Sequence, residues 1–202
     1  MASKSSEQTP QWKERYPMKT GGGKQKGNQF ERLVCRMLSL WWSGGERDDV
    51  FYRSQSSGGR ATVRANRGVT TINQYGDVSA SDGDGLSFTR RVTVEIKRGY
   101  SNHTPYDFVD KLSSSGPTKF EEWFDQAESD RKKARAQYWW LITKRDRKQT
   151  MLFVKGWKPI DIATVYFPQQ DVYGYLFEKF LDKVSSTNFI PGGLIPCSKN
   201  SP

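Results

Sequence analysis

Apolar and polar positions change period along this chain, and each period predicts an element. From residue 28 to about 43, Phe30, Leu33, Val34, Met37, Leu38 and Trp41 recur at spacings of three and four. That is the stripe of a helix with one buried face, and Gly44-Gly45 ends it. Residues 50–55 read as a strand. Residues 76–80 read as a short second strand with Asp77 and Ser79 on one face. The turn-rich stretch 81–87, with Asp-Gly twice, predicts a hairpin loop leading into strand 91–97. There Val92, Val94 and Ile96 face a core, and Arg91, Thr93, Glu95 and Lys97 line the other side. Thr118-x-x-Glu121 is a capping box that opens a second helix, to about residue 136. Its buried stripe is Phe120, Trp123, Phe124, Ala127 and Ala134, with Gln126, Asp130 and Lys133 on a neighbouring polar face. Residues 138–143 form a continuous apolar run, as a central strand covered on both faces does. A charged turn (144–148) leads to a further strand, 151–154. Residues 171–184 are aromatic-rich and helical in pattern; they pack on the core or form a subunit interface, which leaves a homodimer open. The order helix, strand, strand, strand, helix, strand, strand predicts an α/β fold, with no internal repeat.

The same pass divides the chain. Residues 1–26 are polar and basic and predict a flexible tail, residues 27–184 one domain, and the Ser-, Pro- and Gly-rich residues 185–202 a second tail. No apolar run approaches the ~20 residues that span a bilayer. The start has no apolar signal core, so a cytoplasmic protein is expected. Cys35 and Cys197 are too few for a disulfide framework or a zinc site; Cys35 falls in the first helix as a core residue.

Charge adds a partner. The net charge is +10 and it is clustered. Residues 1–67 carry 13 basic and 6 acidic side chains, and residues 131–158 carry 10 and 1. The remainder, with 9 basic and 15 acidic, is the acidic part and holds Asp77 and Glu95. An acidic centre between basic flanks suits an enzyme that acts on a polyanion, so nucleic acid is the expected partner ahead of charge kept for solubility.

Glu95 and Lys97, two apart on a strand, point the same way, roughly 7 Å apart. They suit a metal ion with an activated water, or an ordinary ion pair. A neighbouring strand puts Asp77 beside Glu95. Two carboxylates that close repel unless a cation joins them, and hard oxygen ligands without His or Cys favour Mg2+ or Mn2+. Glu31 is either part of an Asn28-x-x-Glu31 capping box or a third carboxylate of that site. The only histidine, His103, lies in a turn-like loop and reads as a surface residue. That argues against histidine-base nucleases, His-containing zinc deaminases and Ser-His-Asp hydrolases. Gly21-Gly22-Gly23-Lys24 is no P-loop, since Gly-x4-Gly-Lys-Ser/Thr is absent. Asp82-Gly83-Asp84-Gly85 is no EF-hand, because the twelfth position is Thr93.

Glu31, Asp77, Glu95 and Lys97, in this order and in these elements, resemble the motif of the PD-(D/E)xK nuclease superfamily. Its restriction-endonuclease-like core is a helix, a three-strand meander, a crossover helix and further strands. Gly27-x-x-x-Glu31, the Arg53…Ser57-Gly58 loop and Val94-Glu95-Ile96-Lys97 resemble most closely the archaeal-type Holliday junction resolvases, over about residues 27–155. The chain departs from them in having Gly76 where proline is usual, a longer segment before Asp77, and tails at both ends.

The resemblance implies Mg2+- or Mn2+-dependent hydrolysis of DNA phosphodiesters to a 5′-phosphate and a 3′-hydroxyl. It places Asp77, Glu95 and the Ile96 carbonyl on the metal, with Glu31 holding water or a second ion. Lys97 then orients the attacking water or offsets charge on the phosphorane. Arg53, Ser56, Ser57, Arg60, Arg64, Arg98, Arg131 and Lys133 are the expected contacts to DNA, duplex or branched, as recombination or repair requires. A small basic nuclease of this kind suits a phage or mobile element. The alternatives are a non-catalytic nucleic-acid-binding protein on the same scaffold, and an RNA-directed nuclease or another enzyme class.

Overall fold

Helix α1 runs Gly23–Trp42 in the computed structural model, which describes residues 22–54, 75–112, 114–155, 157 and 162–189. It begins earlier than the apolar stripe predicts. Lys24, Gln25 and Lys26 are good helix formers that lie ahead of the stripe, so periodicity does not register them. Glu31 is therefore well inside the helix, no acid lies in its first turn, and the capping-box reading of Asn28-x-x-Glu31 is corrected. Phe30, Val34 and Leu38 are buried on one face, each worth about 1.5–3 kcal/mol.

Strands β1 (Phe51–Arg53) and β2 (Val78–Ala80) pair antiparallel, with Tyr52 opposite Ser79. Ser39 ties β1 to α1: its hydroxyl donates to the Cys35 carbonyl (2.8 Å) and accepts from the Phe51 N–H (2.8 Å). The expected hairpin loop at 81–87 is instead helix α2, Gly83–Thr89. The Asp-Gly repeat that signals a turn serves as a helix start, with the Asp82 carboxylate accepting the Asp84 N–H at 3.0 Å. Gly85 is there for space: a Cβ would stand 2.9 Å from the Phe51 ring. Phe88 of α2 packs among Trp41, Trp42, Phe51 and Trp140.

Strand β3 (Val92–Arg98) does not continue β1 and β2 as a hydrogen-bonded meander. It is the edge of a separate five-stranded sheet and pairs in parallel with β4 (Tyr138–Lys144), Glu95 opposite Leu141. A parallel pair needs a crossover, and α3 (Lys119–Ala134) supplies it, opened by the expected Thr118–Glu121 capping box. β5 (Met151–Lys155), β6 (Val165–Phe167) and β7 (Val172–Leu176) complete the mixed sheet in the order β3-β4-β5-β7-β6.

Only the second half of the expected helix 171–184 is helical, as α4 (Phe177–Lys183). Val172, Tyr173 and Leu176 lie on the helical stripe, but residues 172–176 fit a strand as well, and pairing with β5 decides for the strand. A 3-10 turn, Ser186–Phe189, lies in the stretch expected as tail and buries Phe189 against Trp41, Trp140 and Trp157.

The sheet has a core on each face. Val92, Val94, Ile96, Trp140 and Ile142 pack in one core with residues of α1 and α4. Trp139, Leu141 and Phe153 pack in the other with Phe120, Trp123 and Phe124 of α3. The fold is thus α/β with helices on both sides of a mixed sheet, and the alternation read from residues 91–97 is the one observed.

Candidate active site

An edge strand carries backbone N–H and C=O groups with no strand to bond them. On β3 they are met by Asp77, the residue just before β2. Its N–H donates to the Val94 carbonyl (2.7 Å), its Oδ2 accepts the Ile96 N–H (2.8 Å), and its carbonyl accepts the Ser54 N–H (2.9 Å). In extended backbone a residue's N–H and C=O point to the same edge, so the Ile96 carbonyl faces Asp77 as well. Gly76 makes the approach feasible. Its φ is +85°, and a Cβ there would lie 2.6 Å from the Val94 carbonyl oxygen. Proline, held near φ −65°, cannot take this conformation, which explains the glycine ahead of Asp77.

Glu95 and Lys97 share the face of β3 turned toward α3. The Lys97 ammonium donates to the Glu95 carboxylate. Gln126 of α3 joins both: its Nε2 donates to Glu95 Oε1 at 3.2 Å, and its Oε1 accepts from Lys97 Nζ at 3.5 Å. The sequence places Gln126 on a polar helix face without assigning it a task. Its signal is its position one turn beyond Trp123 at the margin of the buried stripe.

Asp77 and Glu95 are both almost wholly buried. Burial, then the Glu95 charge, pushes the Asp77 carboxyl far up, and the Ile96 N–H opposes this. Burial raises Glu95 too; Lys97 counters it, while Asp130 and Glu31 add repulsion. For Lys97, burial acts downward, but the Glu95 carboxylate, Asp77 and Tyr100 outweigh it and favour the ammonium. Two carboxylates held at this cost fit a divalent cation, whose charge relieves both desolvation and repulsion. Among the described residues no group of three or more His, Cys, Asp or Glu side chains is arranged to hold a metal. The carboxylates that β3 and its edge bring together are Asp77 and Glu95.

Glu31 stands apart from that set. It forms an ion pair with Arg53 at the end of β1, though its charge reaches Asp77 and Glu95. Cys35, beneath it, is buried with its thiol pushed up to about 12 by burial and by Asp77 and Glu31, so it is a neutral core group.

The expected DNA contacts are scattered. Arg98 is one-tenth exposed, facing Asp146 (3.4 Å) and the Phe30 ring. Arg131 is spent on its own helix end, bonded to Glu128 (2.7 and 3.0 Å) and the Ala136 carbonyl (3.0 Å). Lys133 is exposed, 3.5 Å from Asp130. Ser56, Ser57, Arg60 and Arg64 lie outside the described residues. His103 is at the surface, 3.7 Å from Asp107.

A family model described as "Phage putative PDDEXK endonuclease" matches residues 22–181, from the N-cap of α1 into α4. The chain belongs to this family. The PD-(D/E)XK superfamily to which the family belongs consists of nucleases, which act on nucleic acid and typically use a divalent metal. The match is to a phage family and does not extend to the Holliday junction resolvases. No curated protein and no solved structure matches the chain. No helix among the described residues is long and apolar enough to cross a membrane.

Proposed function

We propose that this protein is a divalent-cation-dependent DNA endonuclease of restriction-endonuclease-like fold, with Asp77, Glu95 and Lys97 as its reacting groups. The observation that carries the reading is the docking of Asp77 on the β3 edge, which brings the residue ahead of β2 to the Glu95–Lys97 pair. Asp77, Glu95 and the Ile96 carbonyl would hold Mg2+ or Mn2+. Bound there, the ion supplies Lewis-acid charge to a phosphate oxygen and a lower pKa to a bound water. Lys97, kept charged by Glu95, orients that water or offsets charge on the phosphorane. Gln126 keeps the Glu95 carboxylate and the Lys97 amine in register. Glu31, joined to Arg53, adds negative charge behind Asp77, as a holder of water or a second ion.

The backbone grip is read from the other side of the Glu31–Arg53 pair. A hollow of about 390 Å3 that includes Arg53 is lined by Arg32, Arg36 and Tyr52 and also by Asp48 and Asp49. Three guanidinium groups suit phosphate contacts. Binding would then weaken steeply with salt.

The test incubates plasmid, linear duplex, four-way junction and RNA with the protein in Mg2+ and in Mn2+, beside Glu95→Gln and Lys97→Ala. We expect DNA cleavage by the wild type only, with binding kept in both variants. The junction arm decides the resolvase-like preference, and the RNA arm decides the nucleic acid. Binding without cleavage by the wild type in either metal would replace this reading with a non-catalytic nucleic-acid-binding protein.

A further inference from the structure

Tyr100 stands beside the reacting groups with no task assigned by the nuclease reading. β3 ends at Arg98, and Gly99 (φ +95°) and Tyr100 (φ +49°) then both take left-handed backbone. For a bulky residue that conformation is uncommon and costs free energy, so surrounding contacts must hold it. The contact here is Trp123 of α3, against which the Tyr100 ring stands edge-on, centroids 5.0 Å apart at 73°. Trp123 is itself buried against Phe120, centroids 4.9 Å apart, so the support is fixed.

Trp123 and Gln126 are three residues apart on one helix and so neighbours on its surface. Gln126 holds Glu95 and Lys97. Tyr100 therefore stands about one helical turn from the reacting groups. Even so, Tyr100 is 48% exposed. A rigid, half-open aromatic face beside an ammonium group suits a nucleotide, whose base can stack while its phosphate meets the charge. Base–aromatic stacking is tolerant of sequence and needs only that the base be unstacked from its neighbours.

We propose that the open face of Tyr100 receives an unstacked nucleobase next to the scissile phosphate, so that the favoured substrate carries an unpaired base at the cut. Single strands, frayed ends and branch points all present one. The proposal rests on the nuclease reading above and deepens it.

The test compares Tyr100→Phe, which keeps the ring, with Tyr100→Leu, which keeps apolar contact to Trp123 but has no aromatic face. Tyr106→Ala, at a position 74% exposed and not placed at the site, is the control for lost surface aromatics. Cleavage is measured on an oligonucleotide as a single strand and as a duplex. 2-Aminopurine is then placed at each position flanking the mapped cut, and its fluorescence is read on binding in Ca2+. Tyr100→Leu should lose about 10-fold in kcat/KM on the single strand, with a much smaller loss on duplex. Tyr106→Ala should match the wild type, and Tyr100→Phe should keep the wild-type ratio of single-strand to duplex activity. One 2-aminopurine position should be quenched by the wild type and by Tyr100→Phe but not by Tyr100→Leu. Equal activity of Tyr100→Leu and wild type, or an equal loss on single strand and duplex with no change in quenching, overturns the proposal and leaves the nuclease reading standing. A wild type that cuts neither substrate in Mg2+ or Mn2+ overturns both.

Discussion

At one corner of this protein Arg47 reaches three carboxylates, Asp49 (2.9 Å), Asp82 (2.7 Å) and Asp84 (2.8 Å), all in contact with water. At another, Lys97 meets Glu95 with Asp77 close by, and little of any of them is exposed. Each corner sets one cation among several carboxylates, and the consequences are opposite. In the exposed corner the guanidinium satisfies its partners, and its hydrogen bond holds the Asp82 carboxyl below the usual range. In the buried corner burial raises both carboxyls, and the single ammonium does not offset it. The first corner is a closed clamp joining the start of α2 to the loop after α1. The second keeps an unmet demand for positive charge, as a cation site must. Burial is what separates them most.

The largest break in this comparison should come from Gly76→Ala. A methyl group there meets the Val94 carbonyl at 2.6 Å on a backbone at φ +85°, so about 2–3 kcal/mol of stability should be lost. Asp77 should also leave the β3 edge, taking cleavage with it; thermal melts and plasmid nicking read the two effects.

The pH dependence separates the corners next. The Asp77 carboxyl is pushed up to about 7 in the folded protein, against ~3.9 unfolded. The folded state thus holds an extra proton between those values. Its contribution to stability is full below the unfolded pKa and is lost as pH rises through about 7. Asp82 runs the other way: its contribution is present above the unfolded pKa and lost as pH falls through its lowered folded value. Metal-free protein should therefore lose Tm as pH rises from about 4 to 7, and Asp77→Asn should flatten that slope and raise Tm at neutral pH. Added Mg2+ should raise the Tm of the wild type at neutral pH and leave Asp77→Asn unmoved.

A smaller effect is expected of Gln126→Ala, which leaves the carboxylates and the amine in place but frees their orientation. Turnover should fall about 10-fold, with Tm little changed, and Gln126→Glu should not restore it, because a third negative charge would repel Glu95. Smallest of all is Arg47→Ala. Exposed ion pairs contribute little and are screened by salt, so the variant should keep full activity and lose a Tm increment that shrinks in high salt.

Much of this protein could be read along the chain. The α1 stripe, the Thr118–Glu121 cap, the alternation that turns Glu95 and Lys97 to one side and the two-faced burial of β4 are local patterns, and each follows from side-chain period and capping chemistry alone. So does the pairing of Glu95 with Lys97, because two residues on one strand share a face wherever that strand goes. Three features depended on contacts between distant segments. Asp82-Gly83-Asp84-Gly85 has the composition of a turn, and it became a helix start because Phe88 had an aromatic pocket to fill. Residues 172–176 suit helix and strand alike, and the open edge of β5 chose the strand. Asp77 beside Glu95 is legible as neighbouring strands of a hairpin, yet no hairpin forms: the residue ahead of β2 packs on the β3 edge instead, through a glycine that leaves no room for a side chain, and that packing takes both carboxyls out of water.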